Sequence, residues 1–194
     1  MEEYRSLPKT HITVVLRGLV PFRRLTYQEA LYYAEQQAMV LLRLTRMHEP
    51  PVPVERLVLE AGLAAEIRDD PPVAAPGTSS FNQSRGEWVI TINPDQQQAT
   101  REFVIAHEVK HILDDGFGPT LYRPVDIMTS AQRKEYVADY FAACLTMPRL
   151  WVERAWRRGH QDIDTLAEQF GVLPACMWLR LEALRLLQND DVDL

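Results

Sequence analysis

Residues 103–115, FVIAHEVKHILDD, decide how this chain is read, because they contain His-Glu-x-x-His at His107, Glu108 and His111. Residues four apart on a helix project from one face, so His107 and His111 can offer imidazole nitrogens to a single metal ion. Glu108 lies one position round the helix. It is badly placed to ligate beside both histidines and well placed to take a proton from water activated at the metal. A hydrolytic zinc site needs a third protein ligand and an open fourth position. After His111 no histidine follows until His160, so the third ligand has to be another residue type.

The segment EYVAD, residues 135–139, offers one. Glu135 and Asp139 are also four apart, on a helix whose neighbouring positions, Val137, Ala138, Phe141 and Ala142, are apolar. Two carboxylates on so apolar a helix are costly unless paired or bound to metal. Antiparallel packing of this helix on the first would bring Glu135 to the zinc as third ligand. Asp139 could then accept a hydrogen bond from the far nitrogen of a ligating histidine, fixing its tautomer and ring orientation. Asp114 and Asp115, at the end of the opening segment, are the rival ligands; the reading puts them at the helix terminus, beyond the metal.

Around these segments the chain divides by pattern. Residues 11–20, HITVVLRGLV, alternate and suggest a short strand before Pro21. Thr26 and Glu29 form a capping-box pattern ahead of a helix running to about Met47. Residues 49–63, with three prolines and a final Gly62, read as a turn into a second helix. Residues 64–68, AAEIR, suggest a strand, and 69–80, DDPPVAAPGTSS, a loop. FNQ and EWVITIN around SRG suggest a hairpin. Thr100 is the expected N-cap of the helix carrying His107, and Gly116 its end. Residues 116–128 read as a loop. Thr129 or Ser130 caps the Glu135 helix, which Pro148 stops, and short helices follow. The expected divisions are an N-terminal extension at 1–25, a catalytic domain at 26–148, a C-terminal helical subdomain at 149–187 and an acidic tail at 188–194.

Composition limits the function classes. With 46% hydrophobic and 25% charged residues the chain has the profile of a globular protein. Its net charge of −6 gives no general attraction to polyphosphate. The N-terminal residues lack a basic leader and no apolar run is long enough to span a membrane, so the expected location is the cytoplasm. Cys144 and Cys176 read as buried thiols rather than a disulfide.

Three stretches, ITINPDQQQATREFVIAHEVKHIL, EYVADYFAACLTMP and LAEQFGVLPACMWLRLEAL, resemble the ImmA/IrrE family of metallo-endopeptidases, whose zinc-binding architecture is similar to that of the gluzincins. The similarity runs from about Tyr27 to Leu187. It implies an α+β fold: a mainly helical zincin-like protease domain with a small antiparallel sheet and a C-terminal helical, helix-turn-helix-like extension. It further implies one Zn2+ per chain on His107, His111 and Glu135, and catalysis by Glu108. The expected partner is a cytoplasmic protein substrate, a helix-turn-helix transcriptional repressor of mobile-element or stress-response genes. The absence of a later histidine at metzincin spacing agrees with a carboxylate ligand. Tyr122, Arg123 and Tyr136 are candidate donors to the oxyanion of the reaction, and EWVITIN is a candidate edge for an extended peptide.

The chain departs from the family pattern at Lys110, where the family usually has Gly, and at Thr146, where it usually has Leu. Lys110 suggests that its side of the helix faces solvent or an acidic partner. Two other functions were weighed on the same residues. Residues 162–187 have helix-turn-helix spacing and could read DNA, but the second helix is largely apolar and leaves chiefly Arg180 and Arg185 for the groove. Direct nucleic-acid binding is therefore disfavoured. A zinc-binding sensor or scaffold with little proteolysis is the third reading.

Overall fold

A computed structural model of the chain describes residues 9–70, 75–122 and 128–187. The architecture is α+β, with a small three-stranded sheet set among helices. It is organised round the helix that carries His107, α4 in chain order (Gln98–Asp114). Ile105, Ala106, Val109 and Ile112 on this helix are fully buried, and Val104, Glu108, Lys110, Leu113 and Asp114 nearly so. A helix covered round most of its circumference belongs inside a core. α1 (Lys9–Gly18), α3 (Val54–Ala61), α6 (Ser130–Thr146) and the strands β2 (Gly77–Asn82) and β3 (Glu87–Ile92) all pack on it. α4 begins at Gln98 with Gln97 as N-cap, three residues before the expected cap at Thr100.

α2 (Tyr27–Leu44) opens with the expected capping box: Glu29 N donates to Thr26 Oγ1 and Thr26 N donates to the Glu29 carboxylate. Its buried stripe, Ala30, Ala34, Ala38, Leu41 and Leu42, packs on α6. α3 ends at Gly62 in the left-handed conformation, which a glycine adopts without the steric penalty of a Cβ. Pro53 gives α3 no side-chain cap. Glu102 of α4 supplies one across space, accepting from Glu55 N at 2.9 Å.

The sheet has the order β1-β3-β2, with β1 at Glu66–Asp69. β2 and β3 form the expected antiparallel hairpin, whereas β1 runs parallel to β3, so the sheet is mixed rather than antiparallel. EWVITIN is also the central strand, paired on both sides; the edge strands are β1 and β2. The first residues of β2, Gly77–Ser80, belong to the stretch whose richness in Pro, Gly and Ser suggests a loop. They are strand because they lie against α4: a Cβ on Gly77 would fall 2.5 Å from Val104 Cγ1. Arg101 then ties three elements together, binding Glu55 at the start of α3 at 2.9 Å and Asp69 at the end of β1.

Residues 11–18 of the stretch read as a strand lie in α1, and 19–20 form the turn after it. Ile12 and Leu16, one helical turn apart, are buried while Val14 is 67% exposed, so the period that packs is four and not two. β-branched residues there favour a strand only weakly, and burial against α2 and α4 overrides them.

Beyond α6 lie α7 (Arg149–Arg157), α8 (Ile163–Phe170) and α9 (Pro174–Ala183). The short α5 (Gly118–Leu121) sits in the stretch read as loop. Met147, Val152, Phe170, Met177 and Leu181 make a second apolar cluster, and Trp151 packs against both this cluster and the main one. α9 buries Met177, Arg180 and Leu181, so Arg180 points inward and its Nε donates to Met147 O at 3.0 Å.

Lys110 does not face solvent. It is 1% exposed, and its Nζ contacts Asp114 Oδ1 at 2.6 Å on the next turn of α4. Asp114 Oδ2 accepts from the Tyr122 hydroxyl at 2.6 Å. The ammonium is tolerated inside because a carboxylate one turn away neutralises it. Thr146, also buried, is tolerated because its hydroxyl donates to Ala142 O at 2.8 Å.

A fully buried aliphatic side chain contributes roughly 1.5–3 kcal/mol, whereas an exposed i,i+4 pair such as Arg56–Glu60 contributes about 0.3–0.5 kcal/mol. Apolar packing therefore outweighs the exposed pairs. Asp114→Ala would leave the Lys110 ammonium buried and unpaired, and should lower unfolding free energy by about 3–5 kcal/mol in urea titration. A loss no larger than that of Glu60→Ala would mean that Lys110 escapes to water.

Candidate metal centre

α4 and α6 lie side by side. His107 and His111 face the stripe of α6 that carries Glu135 and Asp139, and the side chains converge. His111 Nε2 lies 2.9 Å from His107 Nε2, and Glu135 Oε2 is 3.3 Å from the first and 3.4 Å from the second of the pair His107 Nε2 and His111 Nε2. Bonds of about 2.0–2.1 Å in a tetrahedron set neighbouring ligand atoms about 3.3–3.4 Å apart. The two edges to Glu135 match that spacing and the edge between imidazoles is slightly short, so these three atoms suit one tetrahedral ion with its fourth position open.

The protonation state of His111 agrees with ligation, whereas the carboxylates round His107 favour its protonated form, which a metal would have to displace. Burial pushes the His111 imidazole down to about 4, so it is neutral at pH 7. Burial also works to lower His107, but its hydrogen bond to Asp139 and the charges of Asp139, Glu108 and Glu135 outweigh it, and the pKa lies above the usual imidazole value. His107 Nδ1 and Asp139 Oδ1 are 2.8 Å apart. A proton held on Nδ1 by that carboxylate leaves Nε2 bare towards Glu135 and His111, which is the tautomer a metal requires. His111 lacks such support: its Nδ1 is buried with no hydrogen-bond partner among the described residues.

Glu108 points elsewhere. Its carboxylate could join His107 and His111 in a metal-sized cluster, since their ligand atoms lie within 4.8 Å of one another. Yet Ser79 Oγ, on β2, donates to Glu108 Oε2 at 2.8 Å and turns that oxygen towards the sheet. Glu108 is 6% exposed, and burial raises its pKa against the opposing pull of Ser79 and His107. A carboxylate of raised pKa, one oxygen held and the other free, is suited to accept and release a proton. Ser79 was not among the residues singled out from the sequence. It sits in the Gly-Thr-Ser-Ser run read as loop, and only the strand pairing shows that it reaches α4.

The rival ligand Asp114 is engaged by Lys110 and Tyr122. Tyr122 is correspondingly ruled out as an oxyanion donor: it is 1% exposed and its only hydroxyl proton goes to Asp114. Arg123 lies outside the described residues. Tyr136 is half exposed and stacks near Tyr27, with ring centroids 5.7 Å apart. It lines the same groove as Asp139.

Comparison with known families gives one match, in which the model described as the IrrE N-terminal-like domain, Peptidase_M78, covers residues 70–182. That span contains both histidines, Glu108, Glu135 and Asp139. Comparison with curated proteins gives no significant match. Among solved structures, a transcriptional regulator of Mycobacterium tuberculosis superposes on 88% of this chain with a TM-score of 0.63 at 17% identity. At that identity the likeness is one of fold, and the chain spans 51% of that protein's length.

Zinc titration with metal analysis tests the centre. The unaltered protein should take up a single zinc ion and Glu135→Ala much less, while Asp139→Asn should bind it about 10–100-fold more weakly. Equal occupancy in Glu135→Ala would remove that residue from the ligand set.

Proposed function

The chain belongs to the Peptidase_M78 family of metallopeptidases, the IrrE N-terminal-like domain family, and on that premise we propose that it is a zinc-dependent endopeptidase whose substrate is a helix-turn-helix transcriptional repressor. The observation that carries the reading is the triangle of His107 Nε2, His111 Nε2 and Glu135 Oε2, with Glu108 beside it and held off the triangle by Ser79. A purely structural zinc site closes its fourth position with a further protein ligand. Here the residue next in line is a buried carboxylate suited to proton transfer.

Zinc, when bound by His107, His111 and Glu135, supplies a Lewis acid for the scissile carbonyl and lowers the pKa of water. The remaining work falls to the chain. Glu108 accepts a proton from the attacking water on its free oxygen and returns it to the amine nitrogen as the peptide bond breaks. Ser79 holds the other oxygen so that the free one keeps its aim. Asp139 keeps the proton of His107 on Nδ1. Tyr136 is the remaining candidate to donate to the tetrahedral oxyanion. The open edge of β2, which also carries Ser79, offers main-chain groups to an extended peptide and would bring its backbone across Glu108.

The repressor as substrate rests on the sequence resemblance. A repressor target would be met in the cytoplasm, which is the location this reading proposes. No described helix is long and apolar enough to cross a membrane.

Incubating the zinc-loaded protein with a candidate repressor should give zinc-dependent loss of the intact repressor. Glu108→Gln should slow that cleavage about 10²–10⁴-fold while zinc stays bound. Full activity in the variant would sink the base assignment, and a salt-sensitive gel shift of operator DNA by this chain alone would favour a DNA reader instead.

A further inference from the structure

α7 carries a charge opposite to that of the chain it belongs to. Between Arg149 and Arg158 there are four arginines and one acidic residue, Glu153, whereas the whole chain has a net charge of −6. The helix buries Val152 and Ala155 and half-buries Trp151 and Trp156, so its remaining positions form the outer face. Two rows of residues one turn apart run along that face. The first, Arg149, Glu153 and Arg157, is closed on itself: Glu153 Oε1 is 2.7 Å from Arg149 Nε and Glu153 Oε2 is 3.3 Å from Arg157 Nη2. The second, Leu150, Arg154 and Arg158, is open. Leu150 is 60% exposed. Arg154 and Arg158 are exposed too, and their side chains make no hydrogen bond or ion pair among the described residues. Arginines in a last turn offset the helix dipole, but that gives no reason for a leucine in water at the head of the same row.

We propose that the outer face of α7 is a docking surface for an acidic, leucine-bearing segment of a partner protein, with carboxylates on Arg154 and Arg158 and an apolar side chain on Leu150. The complementarity is local. Elsewhere the chain is acidic on balance and repels such a segment, so attraction concentrates at α7. The same balance selects against other occupants. A long polyphosphate meets two unpaired cations here and net repulsion beyond them, and phosphate contacts make no use of the leucine. A second copy of the chain in a two-fold contact would set the same four arginines against themselves. Rows on a helix repeat at about 6 Å, a spacing matched by carboxylates one turn apart on a helix or two residues apart on an extended segment. Asp139 lies seven residues before the end of α6 at Thr146, about 10 Å along the helix, and α7 follows directly after Pro148. A partner held on α7 is therefore kept at raised local concentration beside the metal centre. The docking goes beyond the peptidase reading and is measured without cleavage.

The probe is a fluorescein-labelled peptide of four Glu-Glu-Ala-Leu repeats, read by fluorescence anisotropy against the full chain. Saturable binding at low salt is expected, weakening as ionic strength rises to about 0.5 M. Arg154→Gln/Arg158→Gln should weaken it about five- to tenfold and Leu150→Ser about threefold, while Arg154→Lys/Arg158→Lys should retain most of it. Arg43→Gln/Arg56→Gln, which removes the same charge from exposed positions on α2 and α3, should leave it unchanged. Equal zinc uptake by every variant reports an intact fold. Absence of binding overturns the proposal, as does equal binding by Arg154→Gln/Arg158→Gln or an equal loss in Arg43→Gln/Arg56→Gln. Equal affinity for repeats of Glu-Glu-Ala-Ser makes α7 a general polyanion surface, and displacement of the peptide by a lower concentration of short duplex DNA makes it a nucleic-acid surface. Self-association of the unaltered chain that Arg154→Gln/Arg158→Gln abolishes makes it a contact between copies. Each of these also overturns the proposal, and none bears on the peptidase reading, whose test is loss of the intact repressor.

Discussion

Three side-chain atoms drawn from two helices, on His107, His111 and Glu135, meet within about 3.4 Å of one another, and the register of α4 against α6 on which this depends governs the rest of the structure. A slip of one residue along either helix rotates a side chain by about 100° and moves it 1.5 Å, enough to dissolve the triangle. The register is held from several sides. Val137, Phe141 and Ala142 of α6 are fully buried beside Ile105, Val109 and Ile112 of α4, and α2 packs along α6. The link between the two helices is held as well: Ser130 Oγ at the start of α6 donates to Tyr122 O, and the Tyr122 hydroxyl donates to Asp114 at the end of α4. Arg133 Nη2 reaches Leu25 O at 3.2 Å and ties the first turn of α6 to the entry of α2.

Lys110 takes its meaning from the same requirement. A charged side chain in the middle of the core helix looks like a fault, and a small apolar residue would avoid its desolvation cost. Because Asp114 pairs with it and also accepts from Tyr122, the cluster runs from α4 into the connection that sets where α6 begins. The buried charge contributes placement rather than net stability. Glu108 carries the opposite arrangement: its burial is only partly offset by Ser79, which leaves a carboxylate with capacity for a proton.

The C-terminal helices pack on one another and on the end of α6. α8 and α9 form their own apolar cluster with Met147 and Val152, and Ala143 of α6 packs against it. The space between α6 and α9 reaches Asp139. Turning Arg180 inward removes a basic side chain from the surface that a DNA reader would use.

Helical and strand periodicity identified α2, α3, α4, α6 and the β2–β3 hairpin, and the capping box at Thr26 marked its boundary well because caps are made by residues three apart. The same local information misjudged residues 11–20, where β-branched alternation competes with a period-four contact, and left Gly77–Ser80 as loop. Spacing within α4 and within α6 was enough to nominate His107, Glu108, His111, Glu135 and Asp139, since each pair lies within one or two turns of a single helix and helix geometry is the same in every protein. Spacing could not say that Lys110 is buried, that Tyr122 gives its proton to Asp114, that Ser79 holds Glu108, or that Arg180 turns inward. Those depend on partners from 4 to 33 residues away on other turns and elements, and only the packing of α4, α6, α9 and the sheet decides which of them meet.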